Sequence, residues 1–231
     1  WQSKQEQDRL QCSIGGQEIC EIDIKACYLF IANQFSSQEI LLPDDPYQLI
    51  NFVKRDQSLR LLAKILTSSI LSKDGPVTRF PKGKKLPQGQ GYQSLRTQFS
   101  LRQSDKCSSF IGDIMKAFPF LNTNQKKGLE LMYQESEIIL QSMSDLVDQS
   151  IPTYPVHDCL LCRLEDEKIV TTTIQDKMMK MFNSYATLEV GYKDRESKII
   201  PSSHPLSSTK SPTINEDKEM VSYDYDVIEK F

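Results

Sequence analysis

The sequence predicts an α+β fold in which a small antiparallel sheet is packed by helices and interrupted by a long helical insertion. Three observations carry this. A Gly15-Gly16 pair separates two short segments in QCSIGGQEICEID, as in a tight hairpin. A second apolar, strand-like stretch, Tyr154 to Leu164, stands far downstream. Between them, apolar residues recur at three- and four-residue spacing, the period of helices. The 231 residues (26.5 kDa) suffice for one or two domains with a real core, and 39% hydrophobic with 26% charged residues is ordinary globular composition.

The formal net charge of −3 points to no nucleic-acid binder in bulk. No apolar run reaches the ~18 to 20 residues that span a bilayer, and WQSKQEQDRLQ lacks a signal peptide's apolar stretch, so no membrane partner is expected. A chain starting at Trp1 without Met is expected to be a piece of a longer polypeptide. Six cysteines are too sparse for a disulfide-stapled mini-domain. Cys159 and Cys162 form a CxxC, but on a strand residues three apart face opposite ways. Buried free thiols in an intracellular, reducing compartment are therefore expected in preference to a zinc or redox site.

In order, the hairpin's second strand alternates Ile19, Glu21 and Asp23 against Cys20 and Ile22, and ends near Asp23. Ala26 to Phe35 reads as a helix, so Asp23 arrives at a strand-to-helix junction. A loop follows from Ser36 to Asp45, with Pro46 in the first turn of a helix capped by Asp45. Leu59, Leu62, Ala63, Leu66 and Ile70 place a helix from Asp56 to Ser72, with Arg60 and Lys64 on one side of it. Lys73 to Lys106 is irregular and carries eight basic residues against two acids, +6 locally. Cys107 to Phe118 is a short helix. Asn124 to Ser150 is a long one whose stripe of Leu129, Met132, Ile139, Met143, Leu146 and Val147 should face the core. Tyr154 to Leu164 bends at His157-Asp158, Glu165 to Phe182 is helical with Met178, Met179, Met181 and Phe182 in the core, and Leu188 to Tyr192 closes the sheet. From Asp194 onward the Ser-, Pro- and acid-rich composition predicts a disordered tail.

Two carboxylates end apolar strands: Asp23 in CEIDIKACYLFIA and Asp158 in YPVHDCLLC. On neighbouring strands, two such hard oxygen donors suit Mg²⁺, and two ions ~3.5 to 4 Å apart stabilise both oxygens of a phosphoryl displacement. Standing alone, Asp23 reads equally as a helix N-cap and Asp158 as a turn residue. Arg60 and Lys64 offer a bidentate and a compact cation to a triphosphate, and equally a solvated surface pair.

Order and spacing together make the chain resemble the catalytic core of family A DNA polymerases, and more loosely the single-subunit phage RNA polymerases. Asp23-Ile-Lys-Ala-Cys-Tyr-Leu-Phe-Ile-Ala32 resembles the first palm motif, Arg60-Leu-Leu-Ala-Lys64 the start of the fingers helix, and Val156-His157-Asp158-Cys159 the second palm motif. The resemblance spans about residues 14 to 192. It implies that Asp23 and Asp158 are catalytic and hold two Mg²⁺ ions, or Mn²⁺ in their place, that Arg60 and Lys64 bind the incoming nucleotide, and that His157 lies near the primer end. Tyr28 stands where a bulky gate would exclude a ribose 2′-hydroxyl. Ser68 and Ser72 replace the family's fingers aromatics, and Cys159 its Glu.

The implied domains are a first palm hairpin and helix (1–35), a fingers-like helical region (36–150) with a basic loop (73–106), a second palm part (151–193) and the acidic tail (194–231). Within the loop, Arg79, Lys82, Lys84, Lys85, Arg96 and Arg102 are candidate nucleic-acid contacts, with Tyr92 and Phe99 placed for base stacking. The expected partners are a DNA template-primer and nucleoside triphosphates, plus a thumb domain or partner protein that 22 residues before Asp23 cannot supply. Two alternatives stand: a non-catalytic nucleic-acid-binding replication module with this fold, or a two-metal nuclease fragment of the RNase H type, with Glu135 or Glu165 as a third acid.

Overall fold

The computed structural model describes residues 9–73, 75–83, 92–123 and 128–202. Its centre is strand β2 (Gln17–Ile24), which follows β1 (Ser13–Ile14) through a turn made by Gly15 and Gly16 at φ 60° and 78°. Two consecutive left-handed residues are what a two-residue hairpin turn needs, and only glycine adopts them without strain. The sheet is antiparallel in the order β3-β4-β2-β5-β6, where β3 is Thr153–Val156, β4 Cys159–Arg163, β5 Leu188–Tyr192 and β6 Lys198–Ile200, and β1 pairs with β2.

Alternation along β2 divides the faces. Cys20, Ile22 and Ile24 enter the main core with Leu160 and Cys162 of β4 and Leu188 and Val190 of β5. Ile19 joins Leu10, Ile14, Val156, Cys159 and Leu161 in a small cluster on the other face, which Glu21 and Asp23 share. The expected split of the CxxC holds: Cys159 lies in the small cluster and Cys162 in the main core, and all six cysteines are free.

Helices cover the main-core face. They are α1 (Cys27–Gln34), α2 (Asn51–Arg55), α3 (Arg60–Ser72), α4 (Leu95–Gln98), α5 (Cys107–Ala117), α6 (Phe120–Thr123), α7 (Gly128–Asp148) and α8 (Glu167–Phe182). Helix α3 turns Leu62, Ala63, Leu66 and Ile70 inward, and α8 turns Val170, Ile174 and Met178 inward. Lys177 of α8 bonds Asp145 of α7 at 2.7 Å, fastening the two helices behind the sheet.

Several expectations change. Pro46 begins a 3-10 turn (Pro46–Leu49), and the Asp45 side chain does not cap it, because that carboxylate is taken by Arg60. The helix expected from Asp56 starts as a 3-10 turn whose Ser58 amide is capped by Asp56, and becomes α-helical at Arg60. The core stripe of α7 is Leu131, Ile138, Ile139, Ser142 and Leu146, with Met143 half-buried, whereas Leu129, Met132 and Val147 point outward. A strand, β6, lies at Lys198–Ile200 in the stretch expected to be disordered, because the β5 edge offers Leu188, Glu189 and Val190 as backbone partners. Residues 203–231 of that tail lie outside the described residues.

Ala26, just before α1, has φ 51°, a left-handed conformation in which a Cβ costs about 1 kcal/mol. Ala26→Gly is expected to stabilise the fold by roughly 0.5 to 1 kcal/mol in urea titrations, while Gly16→Ala destabilises it by a similar amount.

Candidate functional site

The end of β2 is where the chemistry-bearing residues meet. Asp23 stands opposite Cys159 of β4 on one side and Glu189 of β5 on the other. Asp158 immediately precedes Cys159 in a two-residue turn, and its carbonyl accepts the Ile24 amide at 3.2 Å. Asp158 is thus next in the chain to Cys159, the strand partner of Asp23, and its charge acts on the Asp23 carboxyl. His157, the first residue of that turn, has φ 54° and is exposed. With Ala26, it makes two left-handed non-glycine residues flanking the acidic pair.

The flanking acids have partners. Glu21 receives the Arg9 guanidinium through Nε at 2.8 Å and through a second nitrogen. Glu189 is bonded by Lys25 at 2.9 Å and by the Ser197 hydroxyl at 2.9 Å, which hold its carboxyl low although burial pushes it up. Among the described residues, Asp23 and Asp158 have no ion pair and no hydrogen bond to another side chain. Burial and the Asp158 charge push the Asp23 carboxyl up to about 7. Asp158 is also raised, by burial and the Glu21 charge, against its own amide, Lys64 and His157. Lys64, exposed on α3, is the cation whose field lowers both.

Arg60, expected to stand open beside Lys64, is instead tied to Asp45 by Nε at 2.7 Å and a second nitrogen at 2.9 Å, with its guanidinium 5.3 Å from the Tyr47 ring centre. Its side chain remains 38% exposed, so one face is open. Burial would raise Asp45, but the Arg60 and Gln48 hydrogen bonds hold its carboxyl below the usual range. Tyr28 donates its hydroxyl to Glu135 of α7 at 2.8 Å. Burial and that bond push the Tyr28 hydroxyl up, and burial raises the Glu135 carboxyl in the field of Asp158 despite the Tyr28 bond. Glu165 is ion-paired with Arg163 at 3.0 Å. Of the two candidate third acids, Glu135 is thus the one within reach of the Asp158 charge.

Asp23, Asp158, Lys64, Tyr28 and His157 come together, with Arg60 beside them. The basic segment is more divided. Arg96 serves the loop itself: it donates to the carbonyls of Arg102 and Asp105 at 2.6 and 2.7 Å and lies over Phe80. Arg79, Lys82 and Arg102 are exposed, with Lys82 5.2 Å from the Tyr92 ring centre. Phe99 is half-buried against the core rather than free to stack. Lys84 and Lys85 lie outside the described residues. Sequence reasoning missed the Tyr28-Glu135 pair and the placement of Glu189 opposite Asp23; the alternation in LEVGY was a signal for the second, and none existed for the first.

The donor set suits a hard divalent cation that arrives with a ligand. Among the described residues, Asp23 and Asp158 supply two carboxylates that no cation bonds directly. Among the described residues, no group of three or more His, Cys, Asp or Glu forms a cage. Mg²⁺ is commonly held by one or two carboxylates with the remaining positions filled by water and substrate phosphates, so a bare pair is compatible with it. No family model, no curated protein and no solved structure matches the chain.

The raised carboxyls give stability a sign. Between about pH 4 and pH 7 the folded chain keeps a proton on Asp23 that the unfolded chain releases, so stability falls as pH rises through that window. In a chelator, stability at pH 8 is expected to lie roughly 1 to 3 kcal/mol below that at pH 5, from this pair. Asp23→Asn should flatten the decline in urea titrations across the range; an undiminished decline would show that other groups cause it.

Proposed function

We propose that the chain is a template-directed nucleotidyltransferase of DNA polymerase type, adding nucleotides to a primer 3′-hydroxyl. The observation that carries this reading is the pair Asp23 and Asp158, delivered by β2 and the turn before β4, left without cationic partners while Glu21 and Glu189 beside them have one, and faced by Lys64. A purely structural acid pair would gain from the ion pairs that Glu21 and Glu189 enjoy. Two Mg²⁺ ions held by these carboxylates would supply charge neutralisation for the attacking and leaving oxygens.

The chain's own residues divide the remaining work. Lys64 contributes a mobile point charge for the triphosphate. Arg60, oriented by Asp45 and the Tyr47 ring, offers the open side of a pre-set guanidinium to the same phosphates. Glu135 fixes the Tyr28 hydroxyl, which holds the ring beside the acids, where it can crowd a ribose 2′-hydroxyl. Arg79, Lys82 and Arg102 remain exposed for template or primer phosphates, a contact that weakens with salt. In the reaction the 3′-oxygen bonds to the α-phosphorus, the bond to the bridging oxygen breaks, pyrophosphate leaves, and the hydroxyl proton passes to solvent.

Primer extension in Mg²⁺ is the test. Asp23→Asn and Asp158→Asn should each lower incorporation by 10³-fold or more, and activity surviving both changes would remove the assignment. Salt-sensitive DNA binding with no incorporation in the native chain would favour the non-catalytic module, and strand cleavage the nuclease. Lys64→Ala is expected to act mainly on KM for the nucleotide, by roughly tenfold or more.

A second expectation concerns the sugar. Tyr28→Val should raise ribonucleotide incorporation relative to deoxynucleotide by tenfold or more, and Glu135→Gln should raise it less, since an amide still accepts the Tyr28 hydrogen bond. An unchanged ratio in Tyr28→Val would place the gate elsewhere while leaving the metal reading intact.

A further inference from the structure

Helix α7 has two apolar faces, and among the described residues only one is packed into the core. Leu131, Ile138, Ile139 and Leu146 are buried. On the other side Leu129, Tyr133, Leu140 and Val147 are 81, 57, 57 and 65% exposed. With Ser136 and the half-buried Met143 these residues follow alternating steps of four and three, the 3.5-residue period of a coiled-coil seam, over about 27 Å of helix. Ser136, the polar position, bonds its hydroxyl back to the Tyr133 carbonyl at 2.7 Å and so puts no unsatisfied donor into the seam. Single exposed apolar residues need no explanation, but a continuous row in register does.

The charges around the row select its occupant. Helix α7 carries Glu130, Glu135, Glu137, Asp145 and Asp148 and no Lys or Arg. Glu137 and Asp148 line the seam's edge on the side away from the core, placed there by roughly 100° of rotation per residue. Asp145 is spent on Lys177, and Glu135 faces Tyr28. A second copy of this chain would lay one acidic edge along another, and the acid-rich stretch 216–229 has the same sign. A bilayer with anionic lipids is disfavoured on the same ground.

We propose that the outer face of α7 is a docking surface for an amphipathic helix of another protein, one with a Leu- or Ile-rich seam and Lys or Arg along one edge. Such a helix buries the row from Leu129 to Val147 and pairs its cations with Glu137 and Asp148, in the helix-against-helix mode of recognition. The proposal does not depend on the nucleotidyl-transfer reading.

Two 21-residue helical peptides with the same Leu/Ile seam, one edged with Lys and the other with Glu, test it by fluorescence anisotropy against the whole chain. The Lys-edged peptide should bind one to one, and at least tenfold more tightly than the Glu-edged one. Tyr133→Ser with Leu140→Ser should weaken it tenfold or more, and Glu137→Lys several-fold with a shallower salt dependence. Tyr133 and Leu140 are exposed and, among the described residues, Glu137 is bonded only by Gln141 on the surface, so unchanged circular dichroism and melting are expected to show that the fold is kept. Equal binding of the two peptides, or no binding of either, would overturn the proposal. So would a dimer in sedimentation that Leu140→Ser dissolves, which would assign the face to a second copy, or partition into phosphatidylcholine vesicles, which would assign it to lipid.

Discussion

Strand β2 is hydrogen-bonded along both edges, to β4 from Ile19 to Asp23 and to β5 from Cys20 to Ile24. This double pairing is the constraint on which the rest depends. Because side chains alternate strictly, a slip of one residue would carry Ile22 and Ile24 out of the core and Asp23 and Glu21 into it. Cys20, Ile22 and Ile24 are completely buried, so that exchange would forfeit several kcal/mol of apolar burial and strand charges in the core. The register that buries these apolar residues is the same one that sets Asp23 beside Asp158. The site is thus a consequence of core packing, and no separate device is needed to align the two acids.

What the fold does not do for these acids is equally informative. Arg9, Lys25 and Arg60 are directed to Glu21, Glu189 and Asp45, so these three cations are already engaged. The resulting charge imbalance is stored beside two left-handed non-glycine residues, Ala26 and His157, each costing of order 1 kcal/mol or more. Destabilising terms of two kinds, electrostatic and conformational, converge on one strand end. Other left-handed residues, Ser100, Ser150 and Asn183, are scattered through the fold, but at the end of β2 such residues stand beside raised carboxyls. Concentrated cost in a restricted place is the pattern expected where a ligand rather than the protein supplies the compensation.

The local chemistry was legible in the sequence and the long-range chemistry was not. Gly15-Gly16 and His157-Asp158 announced their turns because a two-residue hairpin leaves few alternatives, and the short helix read at Cys107 to Phe118 is present as Cys107–Ala117. The face of α7 was misread for a physical reason: two apolar stripes lie on one helix, and a list combining Leu129, Met132 and Val147 with Ile139 and Leu146 mixes them. Strand β6 was hidden because Lys198, Ile199 and Ile200 are held chiefly by backbone pairing to β5, which composition does not encode. The engagement of Arg60 by Asp45, 15 residues away, and of Tyr28 by Glu135, 107 residues away, depends on tertiary placement that spacing cannot reveal.

Helix α7 connects the two surfaces. Glu135 reaches inward to Tyr28 and the acidic pair, whereas Leu140, five residues on, is rotated roughly 140° around the axis and faces outward. A partner lying on the outer face would therefore not obstruct the strand end where Asp23 and Asp158 sit. Charge separates the surfaces further. Helix α7 carries five acids and no Lys or Arg, so phosphate backbones are repelled from its outer face, while the exposed cations Arg79, Lys82 and Arg102 belong to the irregular segment between α3 and α5. A nucleic acid and a basic-edged helix would have opposite electrostatic requirements, and the two proposals place them on different elements. The net charge of −3 is the residue of that segregation, and it describes neither surface.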